Sequence, residues 1–85
     1  MERLSGVPSA REMRDLFRVK VRDMVKIVQL DGWRQIRTRG SHRHFAHPTK
    51  PGIVTVAGHD ALDVPPGTLR QIYRQAGLDW SRRPR

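Results

Sequence analysis

Cysteine is absent from this chain, which excludes disulfides, thiolate chemistry and every cysteine-based zinc site. Acidic residues are scarce. Eight Asp and Glu stand against seventeen Lys and Arg, leaving a formal charge of +9. No apolar run approaches the ~20 residues of a membrane span. The N-terminus also lacks a signal peptide's apolar stretch, so the cytoplasm is the expected location and no membrane contact is expected. At 85 residues the chain suits one small domain with a modest core.

What the chain has in excess is arginine. It supplies fourteen of the seventeen cations, and its planar fork suits bidentate contact with phosphate better than lysine does. A charge of this size is tolerable when an anion binds, and for a small domain the commonest such anion is nucleic acid. A plain solubilising surface is the competing reading.

Residues 1–18 form an N-terminal extension. Within it Ser9-Ala10-Arg11-Glu12 fits a capping box, and Met13, Leu16 and Phe17 follow at helical spacing, so a short helix is expected from about Ser9 to Arg18. Val21, Met24, Val25 and Val28 recur at i, i+3, i+4 and i+7, which predicts a helix over Val21–Asp31 stopped by Gly32. Three short strands follow: Trp33–Arg37, closed by an Arg39-Gly40 turn; His42–His47; and the β-branched run Ile53–Val56, read as a buried strand. A second helix places Leu69, Ile72, Tyr73 and Ala76 on one face, and Gly77-Leu78 predicts a Schellman stop. Trp80 is expected to fold back onto the body, and residues 81–85 read as a basic disordered tail. The fold class is therefore a small α+β domain over residues 19–80, with a three-stranded antiparallel sheet and two helices on one face.

Three of the four histidines lie within "HRHFAH", residues 42 to 47. Strand alternation points His42 and His44 one way and His47 the other, with Phe45 as the inward anchor. Zinc needs three or four converging ligands, and this spacing does not supply them, so no metal or other cofactor is expected. Outward imidazoles on a basic domain are compatible with ordinary surface residues. That reading is the stronger one on spacing alone, and RNA cleavage is a coherent second. RNA carries its own nucleophile, the 2′-OH, so an imidazole needs only to take that proton or protonate the leaving 5′ oxygen. Gly40 lets the backbone approach a phosphate, N–H groups near Gly40-Ser41 can cradle it, and Arg37, Arg39 and Arg43 supply positive field.

The stretches "DGW" (31 to 33), "RTRGSHRHFAHPTKPGIVTVAGH" (37 to 59) and "PPGTLRQIYRQAGL" (65 to 78) resemble the HicA toxins of bacterial and archaeal toxin–antitoxin modules. The Gly-Ser-His-x-x-Phe core falls on Gly40, Ser41, His42 and Phe45. The resemblance implies an α-β-β-β-α fold related to double-stranded-RNA-binding domains. It implies a metal-independent mRNA endoribonuclease, neutralised by a HicB-like antitoxin, with His42 as the catalytic residue. Gly40 and Ser41 would then shape its turn, Phe45 anchor the core, and Trp33 seat the first strand against the helices. His44 and His47 keep the structural reading. This chain differs from the family in its 18 residues before Val19. Either they form a helix that packs on the domain or covers the site, or a shorter product begins near Met13 or Val19.

The expected substrate-binding set is Gly40, Ser41, Arg37, Arg39, Arg43 and Lys50, around His42. Lys50, His44 or a water is the candidate second proton-transfer group. The alternative is a non-catalytic module that binds double-stranded RNA on the same fold. A third reading, complementary to the first, gives the basic surface to an acidic antitoxin.

Overall fold

A computed structural model of the chain describes residues 18–84. The expected N-terminal helix and its Ser9–Glu12 capping box lie outside the described residues, Arg18 excepted. The elements are α1 (Val21–Leu30), β1 (Arg34–Arg39), β2 (His42–Ala46), β3 (Val54–Ala57), α2 (Pro66–Ala76) and a short 3-10 turn (Trp80–Arg82). The sheet is an antiparallel meander in the order β1-β2-β3. The chain therefore has the α+β order expected of it.

Helix α1 forms where its apolar stripe and its caps agree. Val21, Met24 and Val28 face the core, and the Lys20 N–H donates to the Asp23 carboxylate at 3.2 Å. The loop after β3 satisfies two more free donors, because Val21 and Arg22 N–H groups reach the carbonyls of Leu62 and Asp60. At the other end Gly32 adopts φ +103°, and the N–H groups of Gly32 and Trp33 return to Gln29 and Val28. That is a Schellman stop. Helix α2 ends the same way, with Leu78 N–H bonded to the Tyr73 carbonyl at 2.9 Å.

One core joins the layers. Met24 and Val28 of α1 meet Phe45, Val54 and Val56 of the sheet and Leu69, Ile72, Tyr73 and Ala76 of α2. Phe45 and Met24 are completely buried, which stabilises the fold by about 1.5–3 kcal/mol each. Trp33 is 1% exposed, and its indole N–H donates to the Ala76 carbonyl at 3.3 Å.

Three expectations change. β1 begins at Arg34 and runs through Arg39, because Trp33 is consumed as a core plug and the strand extends up to the turn. β3 is buried on one face only: Val54 and Val56 are inside, whereas Ile53 precedes the strand and is 50% exposed. The β-branched run is therefore an alternating strand beneath helices on a single side. The described part of the tail is folded back. Trp80 packs edge-on against Tyr73 at 5.3 Å, the Arg83 guanidinium lies 4.2 Å from its ring centre, and the Asp79 carboxylate caps the turn through Ser81. Among the described residues, no helix is long and apolar enough to cross a membrane.

Candidate active site and nucleic-acid interface

The site begins with a turn. Arg39 pairs with His42 across the β1–β2 hairpin, leaving Gly40 and Ser41 as a two-residue connection. Gly40 has φ +59° and Ser41 does not share the positive φ, the pattern of a type II′ turn, which favours glycine at its first central position. Space does not dictate the glycine, since a Cβ there would meet nothing within 4 Å. The main chain above Gly40 is open. The Ser41 carbonyl accepts from Gly58 N–H at 3.2 Å and ties the hairpin tip to the end of β3.

Register decides what surrounds His42. Phe45 pairs with Gln35 and Val54 and points to the helices, so its strand neighbours point away. On that outer face Arg39, His42 and Ala57 form one cross-strand row, and Arg37, His44 and Thr55 form the next. A bulge at Ile36 shifts the phase of β1, and Arg34, opposite Ala46, joins the same face. Arg34 is thus an outer-face cation that strict alternation from Arg37 assigns to the wrong side. Its only sequence signal is the R-x-x-R-x-R spacing.

The face is electrostatically one-sided. No Asp or Glu occurs between Gly32 and His59. Among the described residues no hydrogen bond or ion pair engages the side chain of Arg34, Arg37, Arg39 or His42. The His42 side chain lies on an exposed residue. His44 is half-buried, and its Nδ1 lies 2.9 Å from the Thr55 hydroxyl, which fixes the ring and leaves Nε2 at the outer surface.

Two expected members are elsewhere. Arg43 lies on the helix side and pairs with Asp60 at 2.6 Å. It belts β2 to the loop that caps α1. Lys50 extends its ammonium to the Asp31 carboxylate at 2.6 Å and to the carbonyls of Ala76 and Gly77, each at 3.1 Å. It thus neutralises the C-terminal ends of both helices, where exposed carbonyls attract a cation. Both of these cations are held by structural acceptors in the folded chain.

His47 is structural as well. Its Nδ1 accepts from the N–H groups of Thr49 and Lys50, so Nε2 carries the proton and donates to the Asp31 carbonyl at 2.7 Å. The ring packs edge-on against Trp33. His59 is exposed in the loop after β3. Among the described residues no three His, Asp or Glu side chains converge as metal ligands.

Five expected site residues thus come together, namely Gly40, Ser41, His42, Arg37 and Arg39, with His44 and Arg34 beside them. The arrangement offers an open turn, an uncommitted imidazole and guanidinium groups on one surface. Such a surface can bind a phosphodiester and move a proton at it. A search of curated proteins finds no match to the chain. A family model described as the HicA toxin of bacterial toxin–antitoxin matches residues 21–78, every element from the start of α1 to the stop after α2. The chain belongs to the HicA toxin family, as the toxin of a module whose other member is its antitoxin.

Proposed function

We propose that the protein is a metal-independent endoribonuclease that cleaves mRNA in the cytoplasm, with His42 as general acid or base, and that a HicB-like antitoxin holds it in check. The observation carrying this reading is the position of His42. It is an imidazole with no hydrogen-bond partner among the described residues, exposed at the first residue after an open glycine turn and directly opposite Arg39. His47, which serves the fold, is by contrast engaged on both ring nitrogens.

In this mechanism the 2′ oxygen forms a bond to phosphorus as its proton passes to a base, and the bond from phosphorus to the 5′ oxygen breaks as that oxygen gains a proton. The products are a 2′,3′-cyclic phosphate and a 5′-hydroxyl. An imidazole can accept or donate a proton and so can serve at either end of this transfer. Arg37 and Arg39 hold the phosphate and stabilise the extra negative charge that develops on it. The row behind offers His44 as the second group, with a water as the other candidate.

The test is cleavage of a long single-stranded RNA in excess EDTA by wild type and His42→Ala, with RNA binding followed in parallel. Cleavage by wild type alone, at similar binding, supports the nuclease. Equal binding with no cleavage by either protein favours a double-stranded-RNA-binding module instead.

A further inference from the structure

The sheet has two edges, and they are not alike. β3 has only four residues, and edge strands this short resist pairing with other chains. β1 has six residues, every one of them exposed, and among the described residues β2 is the one strand it pairs with. Its free edge presents main-chain donors and acceptors to solvent. Closing a two-residue hairpin commits the main chain of Arg39 and His42 to each other, so the N–H and C=O of Thr38 point away from β2. Ile36, at the bulge, is 54% exposed beside this open ladder.

We infer that β1 is the docking edge for the antitoxin, which adds an extended, acidic segment of its own as a fourth strand of the sheet. The inference rests on membership of a toxin–antitoxin family. It needs no nuclease activity.

Three observations select this occupant. Main-chain pairing supplies affinity in strand addition, and the side chains that alternate along the edge supply specificity. Here those side chains are Arg34, Arg37 and Arg39, with no carboxylate on the sheet and, among the described residues, no ion pair to any of the three, so the complementary segment carries Asp or Glu. Ile36 provides an apolar anchor beside the ladder. A phosphate backbone would use the arginines and the Thr38 N–H but neither the Thr38 carbonyl nor Ile36, which favours a protein over RNA at this edge. A second copy is disfavoured because two antiparallel β1 strands would bring these arginines against one another. The added strand lies beside the Arg37 and Arg39 rows, so it also takes up the guanidinium groups that flank His42.

Amide hydrogen exchange on the full-length toxin, free and in the complex purified by co-expression with its antitoxin, tests the assignment. The Thr38 amide is expected to exchange freely in the toxin alone and to become protected in the complex. Thr38→Pro removes that donor while keeping a backbone compatible with an edge strand, and weakens the complex by about tenfold or more. Thr38→Val keeps the amide and binds as wild type does.

Equal exchange at Thr38 in both states overturns the proposal, as does undiminished binding by Thr38→Pro. Concentration-dependent protection in the toxin alone overturns it in favour of a second copy. If the proline variant does not fold, exchange in the wild-type complex decides the matter by itself. Failure of wild type to cleave RNA would count against the nuclease and leave the exchange result untouched.

Discussion

Arg34 and Arg37 share one face of the sheet although they stand three positions apart, a spacing that regular alternation puts on opposite faces. The bulge at Ile36 inserts the extra step, and the two arginines stand opposite Ala46 and His44 on the same side of β2. With Arg39 they make a row of three cations along an edge strand. Arg34→Ala is therefore expected to weaken RNA binding as Arg37→Ala and Arg39→Ala do. Each should lower the slope of log affinity against log salt by about 1. Binding titrations at several salt concentrations check this, and an unchanged slope for Arg34→Ala would take it out of the interface.

His42 and His47 are expected to separate in their effects. His42→Ala should leave stability within about 0.5 kcal/mol of wild type, because the ring holds nothing in place. His47→Ala should cost about 2–4 kcal/mol, since it removes packing against Trp33 and leaves the Thr49 and Lys50 N–H groups and the Asp31 carbonyl without their partner. RNA cleavage per folded molecule should show the reverse order, falling by about a hundredfold or more for His42→Ala. Urea unfolding beside single-turnover cleavage measures both.

Gly32 is expected to tolerate no side chain. Its φ of +103° is strained for any L residue, and a Cβ there would sit 2.8 Å from Nε2 of His47. Gly32→Ala should therefore destabilise the protein by more than about 1 kcal/mol. It would displace the His47 ring while ending α1 poorly. Combined with His47→Ala the cost should be less than additive, which a double-mutant cycle reads directly.

Lys50→Met is expected to lower stability by about 1–3 kcal/mol while leaving cleavage per folded molecule unchanged. The substitution keeps the apolar stem and removes a charge shared by Asp31, Ala76 and Gly77. A loss of cleavage without a loss of stability would instead return Lys50 to the reacting phosphate.

Alkaline pH should weaken the fold through Tyr73. Burial raises the phenol above its ordinary 10.0, against a smaller lowering by the Arg83 charge. The native state then holds the proton more tightly than the unfolded chain. This contribution to stability is complete below about pH 10 and is lost as pH rises through the raised value. Urea unfolding of wild type and Tyr73→Phe between about pH 9 and pH 11 should show the steeper decline in wild type.

Much of this protein is written locally. The apolar spacing of Val21, Met24 and Val28, the glycines at 32 and 77, and the alternation around Phe45 each determine an element from side chains a few residues apart. The Gly40-Ser41-His42 order likewise determines a turn with an outward histidine at its foot. Contacts between distant segments decided the rest. Lys50 and Arg43 look in sequence like further phosphate ligands, and only the folded chain brings Asp31 and Asp60 to within 2.6 Å of them. His47 differs from His42 only because Asp31 and Trp33 close around it. The bulge that turns Arg34 toward its neighbours depends on the pairing of β1 with β2, which no single strand encodes. Periodicity records which face a residue belongs to, whereas the fate of a charge depends on which acceptor the chain brings to it. That proximity exists only once the chain has folded.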